Sequence, residues 1–530
     1  MKFLSRSLLI LLALYGLVFA LVNMMLAKVG APLWLALLFA VFTVVLQYLT
    51  GPWIVEWIFD IFWDDAHTHL PAANREFIEK VCAERGLPVP RVGIIDSGTP
   101  NAFCFGHVRS NSRVVVTTGL LDVLTPEESN AVLAHEIGHI EHRDFIVMTV
   151  AALAPLLLYQ LYVFADKIEN TRAVAYTSYL FYWISQFVVL LLNRTREYYA
   201  DQYSGMVTRM PNALSSALVK IAYGMVRADG AFQEKMQDKA EKKEAERGRR
   251  LIGALALMGI SNLKAGAALA LGQANPGDAS AVMKWDLVNP WARLYELNST
   301  HPLTAFRVRE LNRQAEEMHQ ASEYRLPIER TIRWGAFPLE VLLWATPVVA
   351  GVLAALTFWE PKVLAYFGLE SASSYTPALV FVAASGWILR TWFRYHGDFR
   401  AATVGELIED VEVSNMRPLA VEITGEIIGR GVPGVFWSPD LVLRDATGMV
   451  FVLYRQSIPL LRFLFAITAA EQCIGQQVTI RGWFRRGMTP YVEMSQLTTE
   501  NGETHRAYSR WVQYAVAGIA AVLGLLWMIG

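Results

Sequence analysis

Two histidines, His135 and His139, lie four residues apart with Glu136 directly after the first. On an α-helix, residues four apart lie one above the other, so both imidazoles can bind one metal ion. Zinc accepts imidazole ligands readily, and a catalytic zinc site keeps a position for water. Glu136 lies about 100° round the helix, where it can act as general base on that water. The segment predicts a hydrolytic metal site, with two core histidines of an amphipathic helix as the alternative.

The residues before this segment carry signals for the start of a helix. Thr125 can cap the helix, Pro126 needs no N–H at the first helical position, and Glu128 can complete a capping box. Apolar residues recur at helical period through Asn130–His142. We therefore expect one helix that presents both histidines on the same face.

A third metal ligand must come from another part of the chain. A compact HExxHxxGxxH site would need Gly at 142 and His at 145, where this chain has His142 and Phe145. Glu197 and Asp201 lie four apart on a second predicted helix. One could bind the metal while the other accepts a hydrogen bond from a ligand histidine. The spacing leaves open which carboxylate binds, and a solvated charged face is the alternative.

Four motifs, taken in order, resemble those of the HtpX-like integral-membrane zinc metalloproteases, which are relatives of the CAAX prenyl endopeptidases. The resemblance covers about residues 1–320 and is carried by Asn101-Ala102-Phe103, His135–His139, Glu197–Asp201, and Ser299–Pro302 with Arg307. Four motifs in this order are far more specific than any one of them.

The resemblance implies a role for each motif. It implies one zinc ion per chain, bound by His135, His139 and Glu197. It implies catalytic roles for four further residues: Glu136 as base, Asp201 beside a ligand, and His301 and Arg307 as stabilisers of the oxyanion. By resemblance, Asn101, Ala102 and Phe103 bind substrate.

Residues 71–146 are predicted to form the first half of a soluble catalytic unit. Pro71–Arg85 is predicted to be helical, and Arg91–Ile95, Asn101–Phe105 and Arg113–Thr117 are predicted to be strands. An edge strand could bind an extended peptide through main-chain hydrogen bonds, which suits a protease that cuts many sequences. We expect Asn101 and Ala102 on such an edge, with an ordinary interior strand as the alternative.

The composition predicts a membrane protein in a reducing compartment. Of 530 residues, 54% are hydrophobic, which is above the apolar share of soluble proteins. The mean hydropathy is +0.31. The net charge of −1 gives no basic field for nucleic acid. Cys82, Cys104 and Cys473 form no CxxC pair, which predicts neither a disulfide framework nor a cysteine zinc site.

The sequence contains about seven apolar runs that are long enough to span a membrane. They are about Leu8–Met25, Pro32–Leu49, Val147–Ala165, Ser178–Leu192, Val341–Phe358, Ala378–Trp392 and Val512–Ile529. A cleavable signal peptide is the alternative for the first run, since Lys2 and Arg6 precede it. The distribution of Lys and Arg predicts a multi-pass protein of the cell (inner) membrane with its soluble domains in the cytoplasm. Leu251–Leu271 is interrupted by polar residues and is expected to lie on the membrane surface.

After residue 400 the pattern changes to short segments of period two. They are Val421–Gly425, Leu441–Arg444, Met449–Tyr454, Gln477–Gly482 and Tyr491–Leu497. Five strands with a longer segment, Ser457–Ile474, between the third and fourth resemble an OB-fold, a small Greek-key barrel. Such barrels bind single-stranded nucleic acid through basic and aromatic residues, here Arg481, Trp483, Phe484, Arg485 and Arg486. We do not expect that partner, because the barrel is tethered between membrane spans; anionic lipid is the alternative.

The predicted fold is an α-helical integral membrane protein with an α+β gluzincin-type metalloprotease domain and a C-terminal OB-like β-barrel. The predicted divisions are a transmembrane hairpin at 1–65, a metallopeptidase domain at 66–340 with transmembrane helices at about 147–165 and 178–192, a second hairpin at 341–395, the barrel at 396–510, and a transmembrane helix at 511–530.

The expected function is zinc-dependent endopeptidase activity at the cytoplasmic membrane face, acting on membrane proteins in quality control. The expected partners are peptide or protein substrates and the lipid bilayer. Two alternatives remain at this stage: a dedicated processing protease of the prenyl-peptide type, and a non-proteolytic scaffold that uses the OB-like domain.

Overall fold

The structure is a computed structural model that describes residues 32–59, 61–64, 69–168, 171–222, 279–326, 332–359, 372–430, 439–487 and 489–529. The chain forms two compact units. The first comprises Met1–Ala270 and Leu294–Glu329, and the second comprises Leu271–Arg293 and Arg330–Gly530. The predicted segments Leu8–Met25 and Leu251–Leu271 lie outside the described residues.

The described helices and strands are numbered in chain order. The helices are α1 (Leu33–Ile58), α2 (Ala72–Arg85), α3 (Thr118–Val123), α4 (Pro126–Glu141), α5 (Asp144–Ala165), α6 (Arg172–Thr208), α7 (211–222), α8 (Ala279–Val288), α9 (Pro290–Glu296), α10 (Thr304–Glu317), α11 (Phe337–Trp359), α12 (Thr376–Arg394), α13 (Val404–Glu409), α14 (Pro459–Gln472) and α15 (Ser509–Ile529). The strands are β1 (Phe62–Trp63), β2 (Arg91–Ile95), β3 (Ala102–Gly106), β4 (Ser112–Thr117), β5 (Arg400–Ala401), β6 (Leu419–Arg430), β7 (Leu441–Arg444), β8 (Met449–Leu453), β9 (Gln477–Arg486), β10 (Pro490–Thr499) and β11 (Thr504–Arg506).

The first unit contains a four-stranded sheet in the order β1-β2-β4-β3. Strands β2 and β4 are parallel, and β3 pairs antiparallel with β4, Ala102 opposite Val116. The predicted strand Arg91–Ile95 is confirmed, and the predicted strand at 101–105 is found one residue later. Strand β3 is at the edge of the described sheet, as expected for Ala102. Asn101 directly precedes it and accepts a hydrogen bond from the Thr117 N–H at 3.0 Å.

Helix α4 begins at the predicted residue and forms the centre of the first unit. Its capping box is confirmed, because the Thr125 hydroxyl accepts from the Glu128 N–H at 3.3 Å and the Glu128 carboxylate accepts from the Thr125 N–H at 2.9 Å. Twelve of its sixteen residues are buried. Apolar residues such as Val132 and Ile137 pack into a core shared with α2, α7 and the sheet. This burial holds the helix rigidly in place.

Five of the described helices are long and apolar enough to cross a membrane. Their apolar segments are Trp34–Ile58, Asp144–Ala165, Val174–Thr208, Phe337–Trp359 and Ser509–Ile529. Helix α6 extends well beyond the predicted run Ser178–Leu192, because the polar residues that follow are paired inside the protein instead of ending the helix. The predicted run Ala378–Trp392 is helical within α12, which is not among the five and carries Arg390 and Arg394 at its end. Its crossing of the membrane stays a prediction.

The second unit contains a closed five-stranded barrel. Its strands pair in the order β6-β7-β8-β10-β9 and back to β6, with β8 parallel to β10 and every other pair antiparallel. The five predicted strands are confirmed. Helix α14 connects β8 to β9 and occupies the predicted longer segment between the third and fourth strands. Residues such as Val421, Ile480 and Leu497 fill the interior.

The prediction that the barrel carries a basic and aromatic surface is wrong. Trp483, Phe484, Arg485 and Arg486 are all buried. Arg485 donates to Glu493 at 2.9 Å, and Arg486 donates to the main-chain carbonyls of residues 282 and 408. Only Arg481 of the set is exposed, and it is paired with a carboxylate of the neighbouring strand. These side chains therefore stabilise the unit and offer no platform for nucleic acid.

Candidate metal and catalytic site

Close packing of α4 against α6 brings the candidate metal ligands of the first unit together. Gly138 permits this approach, because a Cβ at that position would lie 3.1 Å from the Tyr203 ring and 3.3 Å from the Ala200 Cα. The small residue between the two histidines thus allows the helices to meet where Glu197 faces His139.

Three buried side chains converge on one point between these helices. The Nε2 atoms of His135 and His139 are 3.1 Å apart. Glu197 places one carboxylate oxygen 3.7 Å from His135 Nε2 and the other 3.6 Å from His139 Nε2. Tetrahedral ligands at about 2.0–2.1 Å from zinc would be separated by about 3.3 Å. These three side chains therefore have the spacing that a single metal ion requires.

The other nitrogen of each imidazole faces a carboxylate. His135 Nδ1 is 2.9 Å from Asp201, and His139 Nδ1 is 2.6 Å from Asp144. Such contacts would hold the N–H on Nδ1 and leave the lone pair of Nε2 available for a metal ion. Burial lowers the pKa of His135, but the neighbouring carboxylates of Asp201 and Glu197 outweigh burial and raise it to about 9. The site therefore favours positive charge, and its donor set fits a divalent cation.

Sequence reasoning did not find Asp144 or its partner Arg196. Asp144 is the first residue of α5, and the turn that brings it back to His139 places Arg143 in the left-handed region at φ 59°. Arg196 Nε lies 2.9 Å from the same carboxylate. The sequence signal that could have identified Asp144 is its place five residues after a ligand histidine, just beyond the end of the helix that carries the histidine.

Arg307 is engaged with Asp201 on two donor atoms. Its Nε and Nη2 donate to the two carboxylate oxygens at 2.7 and 2.6 Å. Its Nη1 lies 3.6 Å from Glu197. Burial opposes the charge, but Asp201 and then Glu197 raise the pKa of Arg307 above its ordinary value. Arg307 is thus a fixed cation that holds Asp201 in place.

His301 lies beside the third ligand. Its Nδ1 is 3.3 Å from the same Glu197 oxygen that faces His135. The loop that carries His301 is held by Arg194, which donates to the main-chain carbonyls of Glu296 and Ser299 at 2.7 and 3.0 Å. The structure therefore brings His301 to the predicted ligand set from more than 100 residues along the chain.

Glu136 is buried beside the edge strand β3. Burial, and next the charge of Glu136, raise the pKa of the Cys104 thiol well above its ordinary value. The side chain of Phe103 lies on the other face of the strand, 5.5 Å from the Phe59 ring and 5.9 Å from the Phe105 ring. Phe103 therefore packs in the core.

Comparison with known proteins supports the same chemistry. Residues 72–315 match peptidase family M48. The "Protease HtpX homolog" of Methanothermobacter thermautotrophicus is 39% identical over 215 residues, which cover 39% of this chain and 81% of that protein. "Protease HtpX" of Legionella pneumophila is 32% identical over 202 residues, covering 35% and 69%. The crystal structure of S. mikatae Ste24p matches with 17% identity and a TM-score of 0.34 over 58% of this chain and 65% of that one.

The family match and the HtpX relatives define a metalloprotease embedded in the membrane. The chain belongs to peptidase family M48, among the HtpX proteases, and it is a membrane-embedded metalloendopeptidase. The resemblance stated from the four motifs is confirmed. The family match ends at residue 315, so the barrel lies beyond it.

Proposed function

We propose that this chain is a zinc-dependent endopeptidase that cuts membrane proteins at the cytoplasmic face of the cell (inner) membrane as part of quality control. One observation carries the proposal. Helix α6 is continuous from its apolar segment to Glu197, and that carboxylate meets His135 and His139 on α4. The hydrolytic site thus lies at the end of a membrane helix, where a substrate anchored in the bilayer can reach it.

The three converging side chains would hold zinc, one ion per chain. When bound, zinc would polarise the scissile carbonyl and make a water molecule more acidic. Glu136, directly after the ligand His135, would take a proton from the attacking water and pass it to the leaving nitrogen. Asp144 and Asp201 would keep the two imidazoles in the correct tautomer and orientation.

His301 and Arg307 receive different roles in this proposal. His301 lies beside Glu197 and would donate a hydrogen bond to the oxyanion that develops during attack. Arg307 was expected to share that role, but its Nε and Nη2 are bound to Asp201 and its Nη1 faces Glu197 at 3.6 Å. We therefore assign Arg307 to positioning: it fixes Asp201, and Asp201 fixes His135.

The edge strand β3 would bind the substrate in extended form. Addition of a peptide to a sheet edge uses main-chain hydrogen bonds, which tolerate many sequences. By the resemblance, Asn101, Ala102 and Phe103 would lie along this edge, next to Glu136. A helix carrying both histidines, a third ligand on a second helix and a substrate-binding sheet together support the gluzincin-type α+β arrangement.

The barrel would be an OB-like module in the cytoplasm. Its closed order of five strands, with α14 between the third and fourth, supports that relationship. The excess of Lys and Arg at one set of helix ends supports a cytoplasmic location for both soluble parts. The scaffold alternative is set aside, because the family membership makes the chain an enzyme.

The proposed role is tested by comparing cells that carry the active protein with cells that carry Glu136→Gln. Peptides of many unrelated membrane proteins should accumulate in the variant cells and be detected by mass spectrometry of the membrane fraction. Accumulation of one protein or of one shared cleavage sequence would instead indicate dedicated processing. No difference between the two strains would contradict a proteolytic role in quality control.

A further inference from the structure

Helix α14 leaves large apolar side chains uncovered in the second unit. One face packs on the barrel through Phe465, Ala466, Ala469 and Ala470. The first turn and the opposite face expose Ile458, Leu460, Leu461, Phe463, Leu464 and Ile467. Leu460 is 62% exposed and Phe463 is 49% exposed. Apolar side chains clustered in this way at a surface mark a contact with another molecule or a membrane.

The start of α14 is fixed beside the start of the membrane helix α15. The hydroxyl oxygens of Ser457 and Ser509 are 3.4 Å apart. Gln456 donates to the Arg506 carbonyl at 3.0 Å and accepts from the Tyr508 N–H at 3.1 Å. Because α15 is apolar and long enough to span the bilayer, the exposed apolar residues begin at the level where the chain enters the membrane.

The surroundings of this surface match those of a membrane interface. Tyr508 and Trp511 are exposed at the same end of α15, and these residue types concentrate at the headgroup level of membrane proteins. Residues 455–470 include Arg455 and Arg462 and contain no acidic side chain. Anionic headgroups would therefore meet no like charge along this segment.

We propose that the exposed face of α14 inserts into the boundary between the headgroups and the acyl chains of the bilayer. The helix lies in the plane of the membrane in the manner of interfacial amphipathic helices. The barrel is thereby held against the membrane at two places, by α14 and by α15, and cannot swing freely on α15. A second copy of the chain or another protein is the competing occupant, but the bilayer is already present at this level of the molecule.

The proposal is tested with the full chain reconstituted in phosphatidylcholine vesicles that contain phosphatidylglycerol. A fluorophore is attached to Leu464→Cys, and quenching is measured separately with lipids brominated on the acyl chain and with iodide in the water. Ala446→Cys is the matched control, because the exposed Ala446 lies in the turn before β8, at the opposite end of that strand from the start of α14. Unsubstituted protein gives the background from the native cysteines.

The label at Leu464→Cys should be quenched several-fold more by brominated lipid than the label at Ala446→Cys, and several-fold less by iodide. Phe463→Cys, one position along the helix, should behave like Leu464→Cys. Equal exposure of both positions to iodide would overturn the proposal. Protection of Leu464→Cys from iodide without quenching by lipid would also overturn it, and would indicate a protein contact on this face.

Discussion

Asp201 lies 2.9 Å from Nδ1 of His135, on the side of the ring opposite to the Nε2 atom that faces His139. The same carboxylate receives two hydrogen bonds from Arg307. A buried chain of contacts therefore runs from α10 through α6 to α4 and ends at the candidate metal. His139 has a corresponding partner in Asp144.

Asp144→Asn should weaken the binding of zinc without removing it. The substitution removes the negative charge that orients His139, and loss of such a partner typically lowers metal affinity by about 10–100-fold. The affinity can be measured on metal-depleted protein by competition with a chromophoric chelator. Asp166→Asn, at the exposed other end of α5, is the control. An affinity equal to that of the unsubstituted protein would show that Asp144 does not support the site.

His301→Gln should lower kcat and leave the metal content unchanged. If His301 donates to the oxyanion, its loss should reduce kcat by about 10²–10³-fold with a smaller effect on KM. Kinetics on a defined peptide, together with elemental analysis, provide the measurement. His319→Asn is the control, because His319 is exposed and Asn tolerates its left-handed backbone. A loss of zinc that accompanies the loss of activity would instead indicate a role in holding Glu197.

The capping carboxylate Glu128 should make the stability of the first unit depend on pH. Burial raises the pKa of Glu128, but hydrogen bonds from Lys220, Ser216 and the Thr125 N–H outweigh burial and lower it. A lowered pKa in the folded state means that the unfolded state binds more protons, so this stabilisation is present above about pH 4.3 and is lost as the pH falls through the folded-state pKa.

Glu128→Gln should therefore lower the Tm at neutral pH, and the difference from the unsubstituted protein should close as the pH falls from about 4.3 through the folded-state pKa. Thermal unfolding in detergent across this range is the measurement. Glu127→Gln, its exposed neighbour on the same helix, should change the Tm little at any pH. A constant difference between Glu128→Gln and the unsubstituted protein would show that the charge of Glu128 is not responsible.

Local signals in the sequence were sufficient to predict several helices and strands. Thr125, Pro126 and Glu128 lie within four consecutive residues at the start of α4, so the capping box could be predicted from the local sequence. The five barrel strands follow a period of two between turn residues, and each was placed within a few residues. The position of α14 was seen only as a longer segment, because its apolar residues do not separate cleanly into one buried face.

Pairings between distant residues could not be derived from one sequence. Nothing local indicates that Arg307 contacts Asp201, 106 positions away, or that Asp144 turns back to His139. A single helix that joins the run Ser178–Leu192 to Glu197 and Asp201 was not predicted, because hydropathy falls at residue 193, whereas α6 continues through polar residues that find partners inside the unit. Arg485 and Arg486 were read as surface charges for the same reason, since their partners come from remote segments.

The most direct test of the proposed chemistry is Glu136→Gln in purified protein reconstituted in a bilayer. The zinc content should equal that of the unsubstituted protein, because His135, His139 and Glu197 are intact, whereas cleavage of a defined peptide should fall by at least about 10²-fold through loss of the general base. His135→Ala, measured in parallel, should lose both zinc and activity. Persistent turnover by Glu136→Gln at full zinc content would contradict the assignment of Glu136 as the base.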